Sequence, residues 1–279
     1  MAGLLFGTGG VPHSARKATT VSGIERIHEL GLGCIELEFV QGVRMSETAA
    51  HQVAETAART GIKLSAHAPY FINLNAREPE KIAASKERLL KTAHIASLCG
   101  AVSIVFHAAF YLGDPPHKTY QTVKKHLAEM VDQLKGKYHE VWLRPEVTGK
   151  PSQFGTIEEI LDLCTELEGL APCLDFAHWH ARTAESNSYS EFASILTQVK
   201  ARLGQTALDN MHIHLSGIRY GQKGEISHLN LKDSDLEYTE LLQALKDYDI
   251  KGLVICESPN LEGDAQLLKL TYQGLTKGK

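Results

Sequence analysis

The sequence predicts a single (β/α)₈ TIM barrel, and three observations carry that expectation. Short apolar runs recur eight times along 279 residues, amphipathic stretches of helix length separate them, and most runs end in a polar residue. In a closed barrel of parallel strands, the C-terminal strand ends converge on one face, and that face holds the active site. The length suits one such barrel of about 250 residues, so residues 1–279 are expected to form one domain.

The strands are expected at 4–7, 34–40, 63–68, 103–108, 140–146, 172–177, 210–216 and 252–257. Their near-continuous Val, Ile and Leu content fits strands covered on both sides. Helices are expected at 19–30, 46–60, 80–98, 118–135, 157–168, 189–203, 236–248 and 263–276. Ser46 and Asp235 have the chemistry of helix N-caps, and Gly100 that of a stop signal. The longer connections, 7–13, 108–116 and 217–233, would all lie on the catalytic face. Gly7 and Gly9 lack the third glycine of a dinucleotide fingerprint, so the first loop reads as a flexible turn.

The net charge of −4 gives no global case for nucleic acid, although acidic residues that face cations would distort that figure. Cys34, Cys99, Cys164, Cys173 and Cys256 form no CxxC pair, and three lie inside apolar runs. All five are expected to be reduced core residues of a cytoplasmic protein. No stretch has the length of a membrane span, so no membrane partner is expected, and the chain is expected to be a monomer.

The strand ends gather His67, His107, Glu146, Asp175, His178, His214 and Glu257, with His228 in the seventh loop. Zinc or manganese accepts such mixtures of nitrogen and oxygen, whereas magnesium or calcium sites are dominated by oxygen. Eight or nine donors are too many for one ion, which takes about four to six, so two or three are expected. Metals ~3.5–4 Å apart suit phosphodiester hydrolysis, because they activate water, clamp the phosphate and stabilise the leaving oxygen. Three carboxylates converging without a cation would repel one another.

These residues resemble the endonuclease IV family of zinc-dependent apurinic/apyrimidinic endonucleases, among the xylose-isomerase-like TIM barrels. The matching segments are His67-Ala68-Pro69-Tyr70 with Ile72-Asn73-Leu74, Val105-Phe106-His107, Asp175-Phe176-Ala177-His178, His214-Leu215-Ser216 and Glu257-Ser258-Pro259. The resemblance spans essentially the whole chain. It implies that His67 and His107 hold one zinc, and that Glu146 bridges it to a second held by Asp175, His214 and Glu257. It further implies that His178 and His228 hold a third, that Glu146 and Glu257 are catalytic, and that Tyr70 enters damaged double-stranded DNA at the lesion. One position departs from the pattern: the family has Asp two residues before the histidine matched by His228, and Ile226 stands there. Glu225 would reach the same metal only by a different backbone path, and His180 is the other candidate to compensate.

For DNA contact, Arg16, Arg44, Tyr70, Arg219, Tyr220 and Lys223 lie on catalytic-face loops, where cations near a wedging aromatic suit a lesion-binding surface. His28, His51, His94, His117, His126 and His139 read as surface or satisfied core residues, and His13 as a solvated loop residue. His212 shares the inward direction of His214, either as core packing or in a role, while Glu36 and Glu38 end an inward-facing strand, either as acceptors that orient ligating histidines or as plain hydrogen-bond partners. The leading expectation is cleavage of DNA 5′ to abasic sites. The rival is a sugar isomerase or epimerase, which needs only Glu146, Asp175, His214 and Glu257 around one ion.

Overall fold

The computed structural model describes residues 3–136 and 141–278. His139 and the start of the fifth expected strand lie outside them. The chain runs β1 (Leu4–Gly9), α1 (Thr20–Glu29), β2 (Cys34–Glu38), α2 (Glu47–Thr60), β3 (Lys63–His67), α3 (Pro79–Cys99), β4 (Ser103–Phe106) and β5 (Ala109–Phe110). There follow α4 (Pro116–Leu134), β6 (Trp142–Pro145), β7 (Gln153–Phe154), α5 (Ile157–Glu166), β8 (Cys173–Asp175), α6 (Phe176–Thr183), α7 (Tyr189–Leu203) and α8 (Gln205–Leu208). The last elements are β9 (Met211–Leu215), β10 (Gly217–Gly221), β11 (Gly224–Leu229), a 3₁₀ turn at Leu231–Asp233, α9 (Tyr238–Asp247), β12 (Gly252–Cys256) and α10 (Glu262–Gly274).

Eight of these strands form one parallel sheet in the order β6-β4-β3-β2-β1-β12-β9-β8. Two parallel bridges, Leu143 to Leu170 and Glu146 to Cys173, close it into a barrel. The expected barrel is therefore present. Outward strand residues such as Leu64, Ile104 and Val254 join helix residues such as Ile24, Leu89 and Leu241 in the main apolar core.

The barrel interior is layered by the alternation of side chains along each strand. Leu253 and Ile255, on the same side of β12 as Glu257, form a small apolar cluster with Cys34. Glu36, Ser65, Ser103, Arg144 and His212 are buried polar residues further along. Arg144 spends its guanidinium on the carbonyls of Pro172 and Asn210 at 2.8 and 2.9 Å, and burial pushes its pKa down to about 10. Strand register then sets His67 beside Glu38 and His214 beside Asp175.

Local chemistry sets the element ends. Ser46 Oγ accepts from Ala49 N at 3.2 Å, and Gly100 ends α3 at φ +75°, as expected. Asp235 is not the cap of α9, which starts three residues later; its carboxylate instead binds Tyr220 Oη at 2.8 Å and faces His180 Nε2 at 3.3 Å. The expected strand 172–177 stops at Asp175, because the Asp175 carboxylate accepts from His178 N at 2.7 Å and starts α6 at once. The expected loop 217–233 is largely the antiparallel hairpin of β10 and β11. Among the described residues, no helix is long and apolar enough to cross a membrane. All five cysteines are free and buried.

Candidate metal centre

Glu146 sits at the end of β6, 1% exposed, with its two oxygens facing opposite ways. Oε2 lies 3.2 Å from His67 Nε2 and 2.9 Å from His107 Nε2. Oε1 lies 3.2 Å from His214 Nδ1 and 3.3 Å from His178 Nδ1. The nine expected ligand residues thereby gather into three groups, each with donor atoms within 4.8 Å of one another. They are His67, His107 and Glu146; Glu146, Asp175, His214 and Glu257; and His178, Glu225 and His228. Glu146 belongs to two of them.

The ring orientations leave donor nitrogens turned inward. His67 Nδ1 donates to Ala68 O at 2.8 Å, which frees Nε2 toward Glu146. His214 Nε2 lies 2.9 Å from Glu36 Oε1, which leaves Nδ1 toward Glu146 and Glu257. Glu36 also faces His212 Nε2 at 3.0 Å and accepts from Ser65 Oγ at 2.7 Å. A carboxylate behind a ligand histidine fixes its tautomer and raises its basicity. His212, backed by Ser103 Oγ at 3.1 Å, is pushed down to about 4 by burial and stays neutral.

The third group depends on a backbone irregularity. Arg219 pairs with Ser227, but the next residue, Tyr220, pairs with Glu225, so Ile226 is the extra residue of a β-bulge. In a regular strand, residues three apart face opposite sides; one bulged residue restores them to the same side. Glu225 and His228 therefore both meet His178, while the side chain of Ile226 is 55% exposed. Two glycines permit this approach. Glu225 N donates to Gly149 O at 2.9 Å, and a methyl on Gly149 would lie 2.7 Å from Glu225 Cβ. A methyl on Gly224, at φ +82°, would lie 2.2 Å from Gly149 O. His180 does not compensate for the missing Asp, since it faces Asp235 and the Tyr220 ring.

These donors fit cations. His178 Nδ1 approaches Val147 O at 3.2 Å and His228 Nδ1 approaches Glu257 O at 3.2 Å, which turns the two Nε2 atoms toward each other at 3.3 Å. A proton or a cation must lie between them; nitrogens sharing a tetrahedral zinc stand about 3.4 Å apart. Asp175 Oδ2 is buried without a hydrogen-bond donor. Burial pushes the Asp175 carboxyl up to about 6, with Glu146 and Glu257 adding to the rise. Burial opposes charge on His67 and His178, but the surrounding carboxylates outweigh it and lift them to about 9 and about 10. In the bare site, protons on histidines balance the carboxylates; divalent ions meet the same demand and displace those protons.

The cavity over these groups has a volume of about 400 Å³, and Tyr70, Phe110, Lys150 and Gln153 also line it. The Tyr70 ring is 53% exposed, with its centroid 5.4 Å from that of His67 and 5.8 Å from that of His107.

The match to known proteins agrees with this architecture. Residues 24–273 match the family described as Xylose isomerase-like TIM barrel. The chain belongs to that family. Within it, an uncharacterized protein of Methanocaldococcus jannaschii is 46% identical over 273 residues, covering 98% of both chains. A probable endonuclease 4 of Mycoplasma pneumoniae is 24% identical over 200 residues, or 70% of this chain and 67% of that one. Endonuclease IV from Thermus thermophilus superposes with a TM-score of 0.73 at 18% identity, covering 96% and 99%. A D-tagatose 3-epimerase-like protein also reaches 0.73, at 17% identity and 95% and 96% coverage. Likenesses at such low identity speak for the fold alone.

Several residues go beyond those expected. Phe71, beside Tyr70, is 65% exposed, and its position next to a matched aromatic was the available signal. Lys150 and Gln153 reach the cavity because the loop after β6 folds back, which no short-range pattern announces. Of the expected DNA contacts, Arg16, Arg44, Arg219 and Lys223 are exposed on the surface. Tyr220 is not free for that role, since its hydroxyl is bound to Asp235.

Proposed function

We propose that this chain is a metal-dependent phosphodiesterase that cleaves DNA on the 5′ side of abasic sites. One observation carries the reading: three donor groups share the strand-end face, whereas isomerase chemistry at one ion needs only the group of Glu146, Asp175, His214 and Glu257. His67 with His107, and His178 with Glu225 and His228, are surplus to that need. Tyr70 in the cavity wall and exposed Phe71 next to it in the chain, with exposed Arg44 and Arg219, supply an aromatic wedge and cations for a strand with a missing base.

Bound zinc or manganese ions would supply activation of water and screening of phosphate charge. The residues of the chain divide the remaining work. Glu146, with one oxygen toward each of two groups, would hold two ions together. Asp175, His214 and Glu257 would complete one of their shells, His67 and His107 the other. His178, Glu225 and His228 would hold the third. Glu257 has a 14% exposed side chain against 1% for Glu146 and 0% for Asp175. It is the central carboxylate that can orient an incoming water and take its proton.

The sugar epimerase reading is supported by the equal superposition on an epimerase-like barrel. The test is incubation of the zinc- or manganese-loaded protein with a duplex bearing one abasic site, and separately with ketohexoses. Strand scission only at the lesion, with at least two metal equivalents per chain, is expected. Sugar epimerisation with one weakly held ion would replace the endonuclease reading.

A further inference from the structure

The loop that follows Glu146 turns back on the strand it leaves. Thr148 N donates to Gly155 O at 3.0 Å, and Gln153 N to Lys150 O at 2.9 Å. Gly155, at φ +132°, is close enough that a methyl there would lie 2.7 Å from Glu146 O. Arg182 of α6 locks this loop from below. One guanidinium nitrogen, Nη1, shares its two hydrogens among Thr148 Oγ1, Lys150 O and Gln153 O, each at 2.9 Å, and Thr148 O at 3.3 Å. All four acceptors are neutral, and among the described residues Arg182 makes no salt bridge, so its part here is to fix a shape.

That shape presents two side chains to the cavity. Lys150 is the only lysine or arginine lining it among the described residues. Gln153 is 8% exposed, and its carboxamide oxygen is buried with no hydrogen-bond donor. Unpaired buried amides are uncommon because they are destabilising, and each calls for a reason. A carboxamide exchanges its oxygen and NH₂ ends by a half-turn about its last bond. The NH₂ end of the carboxamide is the end that can donate to a phosphate oxygen.

We propose that Lys150 and Gln153 form a phosphate subsite that receives the phosphodiester next to the one being cleaved, with Arg182 as the residue that positions it. The inference rests on the phosphodiesterase reading above. Glu146, His67 and His107 already crowd the reacting centre, so a cation on the adjoining loop suits a neighbouring phosphate. A fixed cation there would set the substrate strand in register without entering the chemistry.

The test compares two substrates with the metal-loaded protein: an abasic-site duplex, which has flanking phosphates, and bis(4-nitrophenyl) phosphate, which has none. Lys150→Ala should raise KM for the duplex about tenfold at low salt, leave its kcat nearly unchanged, and shift the slope of log affinity against log salt by about 0.9. Lys150→Arg should recover most of the loss. Turnover of the small diester should respond to neither change, and metal content should stay the same. Gln153→Leu should also raise KM for the duplex. It should unfold at no lower temperature than the wild type, since an unpaired buried amide is replaced by an apolar group of similar size. A structural role for Gln153 would lower that temperature, and Gln153→Met provides a second apolar variant. An unchanged salt slope, or equal losses on both substrates, would overturn the subsite and leave the phosphodiesterase standing. A wild-type protein that cleaves neither substrate would overturn both.

Discussion

The donor groups on the barrel strands and the group on the hairpin reach the same cavity by different physical routes. His67, Glu146, Asp175, His214 and Glu257 lie at or directly after the ends of parallel strands whose register is held by paired neighbours, with isolated bridges joining the strands of Glu146 and Asp175. Their positions follow from alternation and barrel closure. The group of His178, Glu225 and His228 is assembled from α6 and a two-stranded ribbon, through a bulge at Ile226 and the contact of Gly149 with Gly224. A barrel end tolerates little movement, whereas a ribbon can absorb an extra residue and still present its carboxylate. The difference teaches that one centre can have a rigid part and an adaptable part.

The largest effect should come from the rigid part. Glu146→Gln keeps the volume but removes the charge between two groups, and turnover should fall on the order of a thousandfold with the fold intact. Near-normal turnover, with circular dichroism unchanged, would remove the bridging role.

The adaptable part should give a smaller and more selective loss. Glu225→Gln should weaken one of the bound ions about 10–100-fold, seen as one fewer equivalent after dialysis. Adding Ile226→Asp to that variant should not restore the ion, because the side chain at 226 points outward. Recovery of the third equivalent would show that the ribbon can slip out of its bulged register.

Glu36→Gln probes support behind the rigid part. The change leaves every donor in place but removes the charge behind His214 and His212, and metal affinity should fall about tenfold. Unchanged affinity by competition with a chelating dye would make Glu36 a packing residue.

The mildest test is pH. In the metal-free protein His67 and His178 are raised from 6.5 to about 9 and about 10. The stability contributed by their protonated forms is fully present below pH 6.5 and is lost as pH rises through 9 to 10. The melting temperature of the metal-free protein should therefore fall on the order of 5 °C across that window, while the loaded protein should stay level. Parallel curves would show that ions and protons do not compete for these rings.

Much of this molecule was legible in the residue order. Apolar runs at regular spacing marked the strands, Ser46 and Gly100 marked helix ends, and polar residues after the runs are ones the structure gathers into the three groups. These signals are local, and barrel geometry converts them into position with few alternatives. The sequence by itself left Glu225 and His180 as competing partners for His178 and His228, since a spacing of three does not fit a regular strand. It also left His212 between packing and a role and Glu36 between orienting a histidine and plain hydrogen bonding, and it held no sign that Lys150 and Gln153 face the cavity. Only the tertiary structure decided these points. The bulge at Ile226 is defined by its pairing with a second strand, Gly149 meets Gly224 from a distant loop, and Arg182 holds its loop from another helix. Each depends on partners that meet only after the chain has folded back on itself, so no short window of sequence carries the information.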